Sequence, residues 1–154
     1  QFQFKKSLSL KNKNLAQLIN ETQNSVSIHI RRGDYLKSKA HYVIGIEYFK
    51  HAILEIERKI DKPTFFVFSD DPNWTKKNLS LKKRIFMVEN NLGSESHNDM
   101  LLMSMCDHHI ISNSSFSWWG AWLNVKKNKI VISPKRWFVK IENLDCVPKE
   151  WIKL

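Results

Sequence analysis

The sequence is poor in cysteine and has no long apolar run. Its two cysteines, Cys106 and Cys146, are far apart and belong to no cysteine–histidine cluster with the spacing of a structural zinc site. This pattern predicts no metal site and favours a reducing compartment. No stretch approaches the roughly 18 consecutive apolar residues that cross a bilayer, and the first residues lack the features of a signal peptide. Neither a membrane span nor a secretory leader is therefore expected.

Internal repeats, low-complexity segments and interdomain linkers are also missing from the sequence. The 154 residues are enough for one domain with a hydrophobic core and too few for two. Apolar residues make up 42% of the chain and charged residues 26%, which is typical of a globular protein. The formal net charge of +10 suits an anionic partner, whether a nucleotide diphosphate, a nucleic acid or an acidic membrane surface. The charge alone does not choose among them.

Short strand-like runs alternate with helical patterns along the chain. Strands are predicted at residues 27–30, 64–68, 84–88, 109–112 and 129–132, and helices at 15–21, 46–60, 73–78, 95–105 and 116–124. This alternation predicts a parallel, doubly wound α/β sheet. In the last helix, Trp118, Trp119 and Trp122 share roughly helical spacing and are expected to pack in the core rather than bind sugar.

A strand pattern at residues 26–30 leads directly into Arg31, Arg32, Gly33 and Asp34. The planar guanidinium of arginine suits a bidentate grip on phosphate, and glycine allows a sharp turn or the close approach of a ligand. Aspartate can fix an arginine or bind a sugar hydroxyl. Diphosphate recognition is one interpretation, and an exposed strand end with a surface Arg–Asp pair is the other. Taken alone, such a run is better explained by the second.

Two further segments change that balance: Ser-Asp-Asp-Pro at 69–72, and Ser-Asn-Ser-Ser-Phe-Ser-Trp-Trp-Gly-Ala-Trp-Leu at 112–123. Each of the three motifs follows a predicted strand, and ligands bind beyond the carboxyl ends of the strands in an open parallel sheet. With His-Ile-Arg-Arg-Gly-Asp at 29–34 and His-Asn-Asp-Met at 97–100, the chain resembles the α-1,2-fucosyltransferases of glycosyltransferase family 11 over about residues 25–135. The segment at 112–123 is the most specific to that family.

The resemblance implies a particular place in a larger fold. In that family the nucleotide-binding lobe is the C-terminal lobe of a GT-B glycosyltransferase, a Rossmann-like parallel sheet with helices on both faces. Residues 1–154 would then form a single GDP-fucose-binding domain. The N-terminal lobe, which helps to hold the acceptor, is expected to be absent from this chain.

The resemblance also implies how the donor is held. Arg31 would grip the pyrophosphate, because without a metal the charge on the leaving diphosphate is stabilised by arginines, hydroxyls and backbone N–H groups. Arg32, on the opposite side of the strand, would order the loop or make a second contact, and Gly33 would let the backbone approach the ligand. Asp34 joins Arg31 as a catalytic candidate. Asp34 and His41 are both reachable bases for an inverting transfer, and no residue identifies itself as that base.

The guanine and the phosphates have further candidates. Asp99 stands sixteen positions before Ser115, as does the guanine-reading acid of the related enzymes, and a carboxylate can accept both guanine N1–H and N2–H. From the residues alone, an acid in the first turn of a helix explains Asp99 equally well. Ser114, Ser115 and Phe116 open a predicted helix whose free N–H groups form an anion site. A plain N-cap is the alternative for either serine, and the two roles are compatible.

The remaining candidates follow the first two strands. The resemblance places His29 beside the nucleotide, although the strand pattern alone favours a histidine of the core. Ser69 and Asp70 are expected to contact the nucleotide. Either Asp70 or Asp71, and not both, would hold the ribose or the base edge, since one of them can instead cap the turn before Pro72.

These expectations combine into a predicted activity. The chain would be a galactoside α-1,2-fucosyltransferase, moving L-fucose from GDP-fucose to a galactose-terminated glycan, with inversion and without a metal or other cofactor. Among enzymes that transfer fucose, the alternative is an α-1,6- or protein-O-fucosyltransferase-like enzyme, although such enzymes usually lack the Ser-Trp-Trp-Gly-Ala-Trp run. A nucleotide-binding lobe without turnover is another alternative. A nucleic-acid-binding module is least favoured, because the aromatic residues cluster in apolar strands and one helix rather than on a basic surface.

The resemblance also bears on location. Bacterial relatives work in the cytoplasm, whereas animal relatives are anchored in the Golgi. Two unpaired cysteines and no anchor favour the first. We therefore expect a cytoplasmic protein with peripheral contact at the inner face of the membrane.

Overall fold

A computed structural model describes residues 8–79, 84–89, 91, 93–140, 145 and 147–154. These residues form the helices α1 (Leu10–Glu21), α2 (Ile46–Lys59), α3 (Pro72–Asn78), α4 (His97–Met105) and α5 (Ser115–Leu123), and the strands β1 (Ser25–Ile30), β2 (Thr64–Ser69), β3 (Ile85–Val88), β4 (His108–Ile110), β5 (Val131–Ser133) and β6 (Ile152–Lys153). Short 3-10 turns lie at Asp34–Lys37 and Gly93–Glu95. Cys106 is buried with a free thiol, whereas Cys146 lies outside the described residues.

The strands form one parallel sheet in the order β3-β2-β1-β4-β5-β6. At its centre, Ile28 of β1 pairs with Val67 of β2 on one side and with Ile110 of β4 on the other. The chain builds the sheet outward through β2 and β3, and then returns to the centre and builds outward in the other direction. Such a reversal leaves a crevice beyond the carboxyl ends of the two central strands. The predicted Rossmann-like α/β fold is confirmed.

Helices cover both faces of this sheet because alternate strand residues point to opposite sides. Val26, Ile28 and Ile30 share one buried cluster with Phe49 and Ile56 of α2. On the other face, a second cluster joins strand β2 to helices α1 and α4 through Phe66, Phe68, Ala16, Ile19, Leu102, Met103 and Cys106. Strand β1 is buried along its whole length, as expected for a central strand with helices on both sides.

Helices α4 and α5 pack closely at a glycine. A Cβ atom placed on Gly120 would lie 3.2 Å from Met103 Cβ and 3.3 Å from its Cε. A larger residue would require the Met103 side chain or the helices themselves to shift. This contact brings α4 and α5 close together, and the first turns of these two helices carry Asp99 and Ser115.

Several element boundaries differ from the predicted ones. Helix α1 begins at Leu10 rather than at residue 15, because Ser9 caps it by accepting from Asn12 N at 3.4 Å. Polar residues in the first turn hide this start from hydrophobic periodicity. Helix α4 begins at His97, and residue 95 belongs to the preceding 3-10 turn. Strand β6, only two residues long, was not predicted.

The packing assigned to the tryptophans of α5 is only partly right. Trp118 packs against the cluster that contains Ala121 and Trp151, and its ring stacks on Trp122 at 5.0 Å. However, Trp119 and Trp122 are 44% and 49% exposed. Apolar residues occupy most positions around α5, so spacing alone could not distinguish the rings that face the core.

Candidate active site

A cleft of about 660 Å³ opens beyond the carboxyl ends of β1, β2 and β4. Residues from all three sequence motifs line it, together with the first turn of α4 and the loop that precedes it: His29, Arg31, Asp34, Tyr35, His41, Phe68, Ser69, Asp70, Asn91, Gly93, Ser96, Asp99, Ser114, Ser115 and Phe116. The structure therefore brings together nearly all of the predicted site residues. Arg32 and Gly33 are not among the lining residues.

Two carboxylates hold the Arg31 guanidinium at the mouth of β1. Its Nε lies 3.0 Å from Asp34 Oδ1 and 3.2 Å from Asp70 Oδ2. The Arg31 side chain is 35% exposed, so its charge is partly desolvated and still open to a ligand. Asp34, a predicted catalytic residue, forms this ion pair with a side chain that is 64% exposed.

Gly33 allows the loop after β1 to approach Asp70. A Cβ atom at Gly33 would lie 2.8 Å from Asp70 Oδ2, which is closer than carbon and oxygen can approach without displacement. Asp70 also accepts a hydrogen bond from the backbone N–H of Arg32 through Oδ1, at 2.8 Å. One carboxylate thus braces both the backbone of the loop and the side chain of Arg31.

The Arg32 side chain points away from the cleft toward α3. Its guanidinium carbon lies 3.7 Å from the centre of the Trp74 ring, and its Nε lies 3.6 Å from Asp71 Oδ2. Asp71 in turn caps α3 by accepting from Trp74 N at 3.1 Å. Of the two roles open to Arg32, this geometry supports the ordering of the loop. Of the acidic pair after β2, Asp70 lies in the cleft and Asp71 is the cap.

His29 forms part of the floor of the cleft. Its Nδ1 lies 3.0 Å from Ser112 Oγ, and its ring centre lies 5.5 Å from that of Phe116. Burial, reinforced by the positive charge of Arg31, lowers the pKa of His29 to about 3. The imidazole is therefore neutral at pH 7 and offers a hydrogen-bonding group rather than a positive charge.

The start of α5 is a candidate anion site. Ser115 is the first residue of this nine-residue helix, and Ser114 occupies the N-cap position without forming a side-chain capping bond. The first backbone N–H groups of a helix have no partners within it, and the helix dipole adds positive potential there. Ser114 and Ser115 both line the cleft. The start of α5 therefore presents hydroxyl and backbone N–H donors to the same part of the cleft, where both can bind an anion.

Asp99 lies in the first turn of α4 and is half-buried. Burial raises the pKa of its carboxyl to about 6, against the opposing effect of a hydrogen bond from Asn91. Asn91 Nδ2 donates that bond to Asp99 Oδ1 at 2.6 Å. At pH 7 Asp99 is mainly a carboxylate, able to accept two N–H groups from a ligand.

Two rings in the loop after β1 form a wall that motif analysis largely missed. Tyr35 stacks on His41 with ring centres 4.2 Å apart, and Tyr35 Oη donates to the carbonyl oxygen of Asn113 at 3.1 Å. Only His41 was predicted to be within reach, and no motif pointed to Tyr35. An aromatic residue three positions after Arg32 was the one available signal.

The hydrogen bonds of His41 fix which of its ring nitrogens is the acceptor. Ser38 Oγ accepts from the backbone N–H groups of Ala40 and His41, both at 3.2 Å, and it lies 2.9 Å from His41 Nδ1. Because the hydroxyl already accepts twice, we assign its own hydrogen to Nδ1. Neutral His41 then carries its hydrogen on Nε2, so it is a donor rather than a base at that atom.

Two negative findings apply to the described ranges. Within them, no cluster of three or more histidine, cysteine or acidic side chains has a geometry that could bind a metal ion. Nor does any helix in this part of the chain have the length and apolar character needed to cross a membrane.

Sequence comparison finds relatives along nearly the whole chain. The O-antigen biosynthesis glycosyltransferase WbnK of Escherichia coli is 40% identical over 141 residues, which cover 89% of this chain and 47% of that protein. An alpha-1,2-colitosyltransferase of Escherichia coli is 40% identical over 157 residues, covering 96% and 53%. The galactoside 2-alpha-L-fucosyltransferase Sec1 of Mus musculus is 29% identical, covering 68% and 30%. The chain spans about half the length of the two bacterial relatives.

Structure comparison agrees at the level of the fold. The NodZ alpha-1,6-fucosyltransferase soaked with GDP-fucose superposes with a TM-score of 0.51 at 15% identity, covering 73% of this chain and 40% of NodZ. Its fold is GT-B-like. The model of glycosyl transferase family 11 matches residues 4–154. The chain therefore belongs to glycosyl transferase family 11.

Proposed function

We propose that this chain binds GDP-fucose and serves a galactoside 2-alpha-L-fucosyltransferase, which transfers L-fucose to a galactose-terminated glycan with inversion and without a metal. The observation that carries the proposal is the meeting of three groups in one cleft: the Arg31 guanidinium, the start of α5, and the Asp99 carboxylate. Guanidinium and helix N–H groups suit a diphosphate, and a carboxylate suits the N1–H and N2–H edge of guanine.

The proposed chemistry follows from where negative charge develops. As the bond between the fucose anomeric carbon and the diphosphate breaks, charge accumulates on the departing phosphate oxygen. Arg31 and the hydroxyl and N–H groups at Ser114 and Ser115 stabilise that charge, because Asp34 and Asp70 already hold Arg31 in place. The acceptor hydroxyl attacks the opposite face of the sugar, which inverts the anomeric carbon, and the hydroxyl proton is released to solvent.

Transfer of colitose is a second candidate. The 40% identity to an alpha-1,2-colitosyltransferase over 96% of this chain favours it. Colitose is L-fucose without its 3-hydroxyl, so the same diphosphate and guanine contacts would serve either donor. The two candidates therefore differ only in how the sugar is held.

Calorimetry on the purified chain tests the donor site. GDP and GDP-fucose should bind and ADP should bind weakly, and Arg31→Ala and Asp99→Asn should each reduce GDP affinity. Arg58→Ala is the matched control, since Arg58 lies on α2 with a side chain that is 76% exposed. Equal affinity for GDP and ADP would refute the proposed recognition of guanine. Absence of binding by the folded chain would refute the proposed donor site.

A transfer assay then tests the reaction. GDP release is measured from GDP-fucose and from GDP-colitose, with and without a galactose-terminated acceptor, so that hydrolysis and transfer are separated. Faster release from one donor in the presence of the acceptor identifies the sugar. Binding without release would identify a donor-binding lobe without turnover.

We also propose that the protein works in the bacterial cytoplasm, at the inner face of the membrane. The +10 net charge supports contact with an anionic surface, and the buried thiol of Cys106 is compatible with a reducing compartment. Co-sedimentation with anionic and neutral vesicles tests the contact: a preference for anionic vesicles that disappears in high salt is expected.

A further inference from the structure

Behind Asp99 lies a pair of buried asparagines that couples α1 to the cleft. Asn12, in the first turn of α1, is 2% exposed, and Asn91, before the turn that leads to α4, is 8% exposed. Asn12 Nδ2 donates to Asn91 Oδ1 at 2.7 Å, and Asn91 Nδ2 donates back to Asn12 Oδ1 at 3.1 Å. The two amides thus form a closed, reciprocal pair.

The same Asn91 amide reaches the cleft. Its Nδ2 has two hydrogens, and the bond to Asn12 uses one of them. The other goes to Asp99 Oδ1 at 2.6 Å. Rotation of the Asn91 amide would break all three bonds at once, so Asn12 fixes the direction in which Asn91 donates. The hydrogen bonds therefore run from Asn12, buried in the first turn of α1, through Asn91 to Asp99 in the cleft.

We propose that Asn91, locked in place by Asn12, is a positioning residue that holds the Asp99 carboxylate for guanine and so sets the preference of this site for guanine over adenine nucleotides. The inference rests on the proposed function, since it concerns the base of the same donor. Neither asparagine belongs to a sequence motif, and Asn12 does not line the cleft.

The charge state of Asp99 gives this arrangement a measurable consequence. Burial raises the pKa of Asp99 to about 6, and the hydrogen bond from Asn91 acts in the opposite direction. Among the residues that the structure describes, the titratable and charged groups that face the cleft from the other elements are His29, Arg31, Asp34, Tyr35, His41 and Asp70. None of these six is a cause of the shift. Removing the Asn91 donor should therefore raise the pKa of Asp99 further, so that a smaller fraction of the carboxyl is ionised at pH 7.

The test uses Asn91→Leu, which has nearly the same size and no donor. The double variant Asn12→Leu/Asn91→Leu accompanies it, because replacing both partners of a buried polar pair avoids an unsatisfied amide. Asn98→Leu is the matched control: Asn98 is buried on α4 beside Asp99, but its amide donates to Glu95 Oε2. Circular dichroism establishes that each variant is folded.

Two measurements are made on each folded chain. Carbon-13 NMR follows the Asp99 carboxyl from pH 4 to pH 8.5 without ligand, and calorimetry gives GDP and ADP affinities over pH 5.5–8.5. In the two Asn91 variants, the Asp99 pKa should rise by about one to two units, so GDP affinity at pH 7 should fall by about twofold to tenfold and recover toward pH 8.5. The ADP affinity of the two Asn91 variants should not change. In the Asn98→Leu control, neither the Asp99 pKa nor the GDP affinity should change.

Two results would overturn the inference in different ways. If the Asp99 pKa and the pH profile of GDP binding in the Asn91 variants equal those of the unaltered chain, Asn91 does not position Asp99. If the unaltered chain binds GDP and ADP equally, the guanine site fails, and the specificity role fails with it. The NMR titration separates these cases because it needs no ligand.

Discussion

Gly33→Ala tests whether the arginine loop depends on the close approach of Asp70. The new Cβ would lie 2.8 Å from Asp70 Oδ2 and 3.4 Å from its Cγ, so the carboxylate must move. Movement weakens the 2.8 Å bond from Arg32 N and the 3.2 Å pair with Arg31. Gly45→Ala is the matched control, since a Cβ placed there meets nothing within 4 Å.

The expected magnitude follows from those two contacts. A hydrogen bond to a charged acceptor contributes about 1.5–3 kcal/mol. The ion pair adds only about 0.2–1 kcal/mol, because its side chains are 35% and 22% exposed. A total near 2–3 kcal/mol corresponds to a melting temperature lower by roughly 6–9 °C for a domain of this size. Since Arg31 keeps only Asp34 as a brace, GDP affinity should fall about tenfold.

Thermal melts and calorimetry on both glycine variants provide the measurement. A double-mutant cycle with Asp70→Ala gives the decisive comparison. Once the carboxylate is gone, Gly33→Ala should have little further effect on stability or GDP affinity. The reasoning is refuted if Gly33→Ala melts and binds GDP like Gly45→Ala, or if its effect is unchanged in the Asp70→Ala background.

Three further predictions concern single residues. Because burial raises the pKa of Asp99 from 3.8 to about 6, GDP affinity should fall as the pH drops through 6. Ionisation of Asp99 lowers the free energy of unfolding by up to about 3 kcal/mol above pH 6 and has no effect below the unfolded pKa. Asp99→Asn should therefore raise the melting temperature at pH 7 but not at pH 3.5. The same substitution should weaken GDP binding. His41→Gln, which keeps a donor near the position of Nε2, should retain more transfer activity than His41→Asn in steady-state assays; equal loss in both would favour a base. Gly120→Val should lower the free energy of unfolding in urea by about 1–3 kcal/mol, since its Cβ would meet Met103 at 3.2 Å, and an unchanged urea midpoint would show that the helices can separate freely.

Much of the cleft could be predicted because parallel strands deliver the residues that follow them to one edge of the sheet. Once the strands were assigned, the three motifs were expected to lie at the same edge of the sheet. The alternation of side chains along a strand correctly placed Arg31 and Arg32 on opposite sides. Asn91 was not predictable, because its role depends on a partner 79 positions earlier in the sequence. Local patterns carry no information about such a pair. The exposed rings of Trp119 and Trp122 were missed for a different reason, since an apolar helix has no single face that periodicity can identify.

The balance of charge inside the cleft has a consequence for selectivity. Among the side chains that the structure describes there, one guanidinium, Arg31, faces three carboxylates, Asp34, Asp70 and Asp99, although the whole chain carries a net charge of +10. The outer surface can therefore attract anions from a distance, whereas inside the cleft the carboxylates offset the charge of Arg31, so that an anion gains little there from charge alone. Inorganic phosphate should enter poorly, and a ligand must add base and sugar contacts to remain bound.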